Sequence, residues 1–449
     1  MDWLTILPPV LAVIITIRFR QVVPALLAAL VSSECIQASF DLLPALTNTF
    51  NRLIGVFAST SNTEILLFSL LMGALLALVR NSGGVNAFVD FLLARNIART
   101  PRSTGLLTSG LGMVIFIESY LSVLTSGIFG QHLFDRYHMS RARLAYIIDS
   151  TCSPVSVLIL LNSWGAYILG LLDGYGLENP LGVMLASIPL NAYAIITLVI
   201  VFTTGWSGRT LFALASHESD YPGMPTVKSP YPSSKAGFFL IPIGTLIASF
   251  IVLMMISGKG NLINGSGSKS ILYGVMLAIM VAFYQQLRQK RKSIKSLLQE
   301  SCGGMRELLP AVVIILLAFA LGASMQTLGT GPFIAGLISR ALPLWMIAPV
   351  VFIAAGIMSF TTGTSWGTFG ILVPVAIPIA LDSGLSPALL LSAVLGGGVF
   401  GDHCSPISDS TVLASLAAGC DHLEHVRTQL PYALLAGALS FPCLIFFSL

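Results

Sequence analysis

Charge is scarce in this 449-residue chain: Asp, Glu, Lys and Arg together make up 9% of it, against 55% hydrophobic residues. With a mean hydropathy of +0.87 it lies far outside the range of soluble domains, and no polar stretch is long enough to fold by itself. The whole chain reads as one unit in the membrane, with lipid as its surroundings. Cysteine is too poorly spaced to cross-link. Cys35, Cys152, Cys302, Cys404, Cys420 and Cys443 show no Cys-x-x-Cys pattern and fall mostly in apolar segments, which excludes a disulfide framework and a zinc site and leaves unpaired thiols. No Gly-x-x-x-x-Gly-Lys-Ser/Thr loop is present, so a nucleotide-driven pump is not expected. No basic patch is interleaved with aromatics, so neither is a nucleic-acid partner. The first basic residue, Arg18, follows the first apolar stretch. That is the reverse of a signal peptide, and residue 2 onward is expected to begin the first span.

Against this background one polar phrase occurs twice, as Asp149-Ser150-Thr151-Cys152-Ser153-Pro154-Val155-Ser156 and as Asp402-His403-Cys404-Ser405-Pro406-Ile407-Ser408. Carboxylates, hydroxyls and a helix-disrupting proline are costly in hydrocarbon, so the repetition points to two related polar sites. Apolar segments long enough to cross run at 2–18, 21–38, 63–80, 142–172, 180–205, 237–258, 270–287, 305–328, 386–419 and 426–448. Two further apolar pairs, 104–134 and 345–381, are interrupted at Glu118-Ser119-Tyr120 and at Thr361-Thr362-Gly363-Thr364-Ser365, as expected for re-entrant hairpins. With the N-terminus outside and both hairpins counted as non-crossing, every Lys and Arg except Arg52, Lys259, Lys269 and Arg340 falls on the cytoplasmic side, in keeping with the positive-inside rule.

The expected fold is therefore an all-α polytopic membrane protein built as an inverted repeat. Each repeat has five spans and one re-entrant hairpin, with broken helices at the substrate site. The first repeat is 1–205 and the second 237–449, and an odd number of crossings makes the second enter from the opposite face. Between them, 206–236 carries Pro222, Pro225, Pro230 and Pro232 and reads as a cytoplasmic linker.

The chemistry concentrates at the repeated phrase and the hairpin tips. Pro154 and Pro406 each remove a backbone donor and free a carbonyl in mid-membrane; a bound cation or neighbouring hydroxyls could satisfy it. Ser153, Ser156, Ser405 and Ser408 add hydroxyl oxygens, and Asp149, Asp402 and Asp409 supply negative charge, an all-oxygen set suited to an alkali cation. Glu118, with Ser119, is the expected proton or cation carboxylate of the first half. His403 beside Asp402 is either a titrating group or simply a hydrogen-bonding residue. Thr361, Thr362, Gly363, Thr364, Ser365 and Thr368 are the expected substrate-binding set at the second hairpin tip, where helix termini are exposed; close helix packing is the competing reading of the glycines. Asp421-His422-Leu423-Glu424-His425 resembles a metal motif, but Asp421 followed three residues on by Glu424 is better read as a capping box. No metal beyond Na+ is expected. Catalysis is not expected either, since Cys404 and His403 are neighbours on one helix and point about 100° apart.

Taken together, these residues resemble the NhaC family of sodium/proton antiporters, within the wider ion-transporter superfamily. The likeness is densest over Thr362-Gly363-Thr364-Ser365-Trp366-Gly367-Thr368, Gly401 to Thr411, Gly419 to Val426 and Gln429-Leu430-Pro431-Tyr432. In the first half it rests on Ser140-Arg141, Leu144 to Thr151, Pro154-Val155 and Trp164-Gly165-Ala166-Tyr167. It implies secondary sodium/proton antiport with Na+ and H+ as coupling ions, no other cofactor, and a multi-pass place in a bacterial inner membrane. Where the family pattern commonly has a pair of aspartates before tyrosine, this chain has Glu118-Ser119 before Tyr120. One carboxylate fewer keeps a second function open, Na+- or H+-coupled transport of a small organic acid or amino acid. A scaffold formed by the early spans would support a homodimer.

Overall fold

Ser and Asp side chains set many of the helix starts: Ser59 accepts a hydrogen bond from Asn62 N, Ser140 from Arg143 N, Ser408 from Thr411 N and Asp421 from Glu424 N. Each relieves a backbone donor left over at a helix N-terminus. The computed structural model describes residues 2–19, 21–95, 98–116, 119–159, 162–173, 175–218, 234–261, 265–289 and 292–449, and no strand occurs among them. Glu118 lies outside the described residues, as do 219–233 of the expected linker.

The first half contains α1 (Leu7–Phe19), α2 (Val22–Gln37), α3 (Leu42–Val56), α4 (Thr60–Asn81), α5 (Gly84–Ala94), α6 (Pro101–Val114), α7 (Ser119–Arg136), α8 (Arg141–Leu158), α9 (Ser163–Asp173), α10 (Pro180–Ser187) and α11 (Ala192–Ser207). The short α12 (Phe212–Glu218) follows and packs against the last helix. The second half contains α13 (Gly237–Ser257), α14 (Gly267–Arg288), α15 (Ile294–Leu328), α16 (Thr330–Ala341), α17 (Leu344–Thr362), α18 (Ser365–Ser383), α19 (Pro387–Cys404), α20 (Asp409–Ala418) and α21 (His422–Ser448). A recurring order is visible: a long helix and a short one (α4 and α5, α15 and α16), a helical pair (α6 and α7, α17 and α18), then a broken span (α8 and α9, α19 and α20).

Among the described residues ten helices or runs of successive helices are long and apolar enough to cross a membrane, but they are not the ten expected. The run at 2–18 folds as a 3-10 helix, Asp2–Ile6, leading directly into the 13-residue α1, and the run at 21–38 as the 16-residue α2. At 1.5 Å per residue α2 reaches about 24 Å, short of the roughly 30 Å hydrocarbon core, while the 3-10 helix, at about 2 Å per residue, brings the first run close to it. Conversely α17 and α18, 19 residues each, reach about 28 Å, so length does not separate these hairpin arms from crossings. The second hairpin break falls where expected, at Gly363-Thr364; in the first, α6 ends at Val114 and α7 already begins at Ser119, so Ser119 and Tyr120 of the expected interruption are helical.

The helix break of the first repeated phrase is displaced from its proline. Pro154 sits inside α8, which continues to Leu158, because one proline removes one backbone hydrogen bond while the packed helix around it holds. The break is fixed instead by Asn162, whose Nδ2 donates to the carbonyls of Ser156 (2.8 Å) and Ile159 (2.7 Å) while its Oδ1 accepts from Gly165 N (2.9 Å). In the second phrase the helix does end before the proline, at Cys404. His422 Nε2 donates to Pro406 O at 2.7 Å, and Ser405 Oγ donates to Phe360 O at 2.7 Å.

Packing puts the broken spans innermost. Nearly every residue of α8 and α19 is buried, whereas α13 buries only Phe238, Phe239, Pro242, Leu246 and Met254 and turns Ile251, Val252 and Ile256 outward. The pair α6 and α7 lies against α8, and the pair α17 and α18 against α19. Each pair also reaches the other half: α7 packs on α20, and α18 on α9. The two long helices α4 and α15 cross at Gly73 and Gly304, where a Cβ on either glycine would overlap the other's carbonyl oxygen. Gly304→Leu is therefore expected to destabilise the protein by about 1–3 kcal/mol or more through overpacking, read as a lower unfolding temperature in detergent. An unchanged unfolding temperature would contradict this crossing.

Candidate functional site

Asp149 stands on the innermost stretch of α8, fully buried. Its Oδ2 accepts from Gln429 Nε2 on α21 at 2.6 Å and from Thr411 Oγ1 on α20 at 3.0 Å, and His425 Nε2 on α21 lies 3.5 Å away. A carboxylate from the first half is thus held by the second half. Its other oxygen, Oδ1, has no hydrogen-bond partner, and the same is true of His403 Nε2, both ring nitrogens of His425 and Gln429 Oε1, all buried. Gln429 joins them, since its Nε2 also donates to the His403 carbonyl at 3.1 Å, and His403 Nδ1 is tied to Tyr193 OH at 2.9 Å. Buried polar atoms left without partners cost about 1–3 kcal/mol each. Several in one knot mark a place where a cation, a proton or water completes the arrangement.

The second carboxylate, Asp402, is 1% exposed and is satisfied differently. Ser408 Oγ donates to its Oδ1 at 2.7 Å and Ser410 Oγ to its Oδ2 at 3.0 Å. Thr411 Oγ1 links the two phrases by reaching both Asp149 Oδ2 and, at 3.3 Å, the Asp402 carbonyl. Gly363 brings the second hairpin tip to this break. It ends α17 at φ 69°, in the left-handed region that favours glycine, and a Cβ there would overlap Ile407 O. Its carbonyl accepts from Asp409 N at 3.4 Å.

A cavity of about 570 Å³ runs from this break to the crossing of α4 and α15. Asp409, Ser410, Thr364, Ser153, Ser119, Arg80, Glu307, Trp164 and Trp366 are among the residues that line it. The two indole rings lie 5.5 Å apart.

Most residues expected from the sequence come together here. Ser119 and Ser156 meet at 2.8 Å, Ser153 and Asp409 face the cavity, and Asp149, Asp402, His403 and Ser408 form the connected core just described, while the Ser405 hydroxyl donates instead to Phe360 O. The hairpin-tip set divides. Thr364 reaches the cavity, but Thr361 Oγ1 bonds back to Ile357 O and Met358 O of its own helix, Thr362 Oγ1 to Ser359 O and Thr364 O, Ser365 Oγ to Gly398 O and Thr368 Oγ1 to Thr364 O. The sequence reading missed Thr411, His425, Gln429, Ser410 and Tyr193. His425 was absorbed into the cap of α21, and that cap is real: Asp421 Oδ1 accepts from Glu424 N at 3.0 Å. The available signal was spacing, since His425 and Gln429 are four residues apart and so share one helix face. Among the described residues no His, Cys, Asp and Glu cluster could hold a metal ion.

Two buried carboxylates at interrupted membrane helices, joined across the two halves of the chain and set beside a polar-tipped cavity, define a secondary membrane transporter. Sequence comparison agrees with that class. The profile of the Na+/H+ antiporter family matches residues 155–449. An uncharacterized protein of Haemophilus influenzae is 31% identical over 96% of this chain and 88% of its own length. The Na+/H+ antiporter NhaC of Alkalihalophilus pseudofirmus is 28% identical over 42% of this chain and 39% of its own. The crystal structure of the Alcanivorax borkumensis YdaH transporter has the same fold, with a TM-score of 0.66 at 14% identity over 90% of this chain and 88% of that one. The chain belongs to the Na+/H+ antiporter family. It is a multi-pass integral membrane protein, a secondary transporter for which sodium/proton antiport is the activity and Na+ and H+ are the ions that membership carries.

Proposed function

We propose that Na+ and H+ exchange by displacing one another at Asp149. The observation that carries this is the bare Oδ1 of a fully buried carboxylate, in one network with His403, His425 and Gln429, which also carry unpartnered polar atoms. A proton on Asp149 neutralises the charge; a sodium ion does the same while taking oxygen ligands from the neighbouring hydroxyls. Only one of the two can be accommodated without placing a second positive charge in the same dry site. Asp402, with Ser405, Ser408 and Asp409, forms the second half of this site, and Glu118 and Ser119 contribute from the first hairpin. The two halves, 1–205 and 237–449, act as inverted repeats joined by the 206–236 linker, and rocking of the core against α4 and α15 alternates access. The protein works in a bacterial inner membrane, as a homodimer, without a cofactor beyond its coupling ions.

Competition has a direct signature. Equilibrium binding of radiolabelled Na+ to purified protein is expected to weaken roughly tenfold for each pH unit on the acid side, one proton being released per ion bound. Sodium affinity independent of pH would refute a shared carboxylate.

A further inference from the structure

Two further cavities lie toward the other end of α15. The larger, about 470 Å³, is lined by Glu34 and Gln37 of α2, Asn48, Asn51 and Arg52 of α3, and Asn62 of α4. The smaller, about 80 Å³, shares Asn62, Phe319 and Ala323 with it and adds Gly170 of α9 and Pro374 of α18. The exchange site uses none of these polar groups. Glu34 is 2% exposed, and its Oε1 accepts from Arg52 Nε at 2.9 Å and lies 2.7 Å from Ser324 Oγ. Arg52 Nη2 in turn donates to Thr327 Oγ1 at 2.8 Å, so that one guanidinium ties α3 to α2 and α15. An ion pair and carboxamides within a membrane bundle are expected where they line water. In agreement, the buried Oδ1 of Asn62, where the two cavities meet, has no hydrogen-bond partner among the described residues.

The cavity beside the exchange site and this second pair follow one another along the same three helices. Helix α15 lines the first cavity as far as Ile315 and the small one from Ala318; α9 passes between them from Trp164 to Gly170, and α18 from Trp366 to Pro374. At 1.5 Å per residue the interval is about 5 Å along α15, about 9 Å along α9 and about 12 Å along α18. It is filled with rings. Tyr167 stacks on Trp366 with centroids 5.2 Å apart and donates to its carbonyl at 3.2 Å, and Phe319 lies 6.3 Å from Tyr167. Gly170 and Gly370 let the layer close, since a Cβ would overlap the Phe319 ring at the first and the Tyr167 hydroxyl at the second. Tyr167 and Trp366 belong to the core and Phe319 to α15, so the layer spans the boundary at which the proposed rocking occurs.

We infer that the two further cavities are the second mouth of the transport path, taking hydrated alkali cations from the opposite face of the membrane, with the layer of Tyr167, Trp366 and Phe319 as the closed gate between that mouth and the exchange site. Carboxamide and carboxylate oxygens suit such a cation, since they can replace or hold its water. Sliding of α9 and α18 past Phe319 opens the gate. The inference rests on the transporter reading above and names where the ions enter from the far side.

Two alanines of α15 give the test. Ala311 lines the cavity beside the exchange site and Ala323 the second mouth, about 18 Å further along the helix. Ala311→Cys and Ala323→Cys, each in the full chain in proteoliposomes of uniform orientation, are exposed to a membrane-impermeant methanethiosulfonate on one face at a time. Peptide mass spectrometry reads the introduced thiol separately from the native ones. Each is expected to react at least tenfold faster from its own face, the two faces being opposite. Adding Phe319→Ala to Ala311→Cys is expected to raise its labelling from the Ala323 face at least tenfold. Phe319→Leu, a gentler change should the first fold poorly, is expected to raise it severalfold. Both thiols reacting from one face, no labelling of Ala323→Cys from either face, or labelling of Ala311→Cys unaltered by both Phe319 variants would each overturn the inference. Sodium-driven proton movement in the same vesicles separates the two claims. Opposite-face labelling without such movement counts against the exchange reading alone, and same-face labelling with the movement intact counts against the second mouth alone.

Discussion

Asp149→Asn is expected to abolish sodium-driven proton movement in proteoliposomes, leaving less than about one hundredth of the wild-type rate. The side chain keeps its shape, and its amide oxygen can still accept from Gln429 Nε2 and Thr411 Oγ1, the two donors that hold it at 2.6 and 3.0 Å. The helices should therefore pack as before. What disappears is the charge in a fully buried knot whose other members, His403, His425 and Gln429, cannot replace it. An uncompensated buried charge costs about 3–5 kcal/mol; without the carboxylate a sodium ion would be in that position, and such a penalty corresponds to more than a hundredfold weaker binding. Retained flux in a folded Asp149→Asn protein would remove this residue from the mechanism.

Asp402→Asn is the second large effect, and the comparison between the two variants is informative. Both oxygens of Asp402 already accept from serine hydroxyls, at 2.7 Å from Ser408 and 3.0 Å from Ser410. A hydroxyl can turn to accept as readily as it donates, so the asparagine amide finds partners in the same places and the turn between α19 and α20 survives. Flux is expected to fall at least tenfold all the same, because the carboxylate lies one hydroxyl away from the cavity, through Ser410, and the main-chain carbonyl of the same residue is joined to Asp149 through Thr411. Wild-type rates in Asp402→Asn, with Asp149→Asn inactive, would leave Asp149 as the sole titrating carboxylate of the pair.

Both carboxylates were legible because the sequence prints them twice, each a few residues ahead of a Ser-Pro pair in an apolar run. Polar groups there are expensive enough to be informative singly, and repetition is stronger still. The second hairpin break was legible for a similar reason: Gly363 amid threonines interrupts an otherwise continuous hydrophobic segment. What the sequence concealed was where the chain returns. The donors on Asp149 come from Thr411 and Gln429, more than 250 positions away in the chain, and no local pattern announces a partner at that distance. His425 was harder, since its neighbours Asp421 and Glu424 form a sound helix cap, and one local explanation hid the second role on the inward face. Pro154 misled in the opposite direction. A proline in a tightly packed helix costs one hydrogen bond without ending the helix, and the break lies at Asn162, whose amide gathers the carbonyls that the broken ends release. Length was a poor guide as well, with α2 somewhat shorter than its apolar run and α17 and α18 as long as ordinary crossings.

The central claim is that sodium and protons trade places at a carboxylate shared between the two halves. It is tested most directly by a pH-dye measurement on vesicles carrying an imposed proton gradient, with wild type, Asp149→Asn and Asp402→Asn side by side. Adding Na+ is expected to collapse the gradient in wild-type vesicles, to do nothing with Asp149→Asn, and to act at least tenfold more slowly with Asp402→Asn. A gradient that Na+ leaves untouched in wild-type vesicles, or that it collapses equally in all three, would contradict the account.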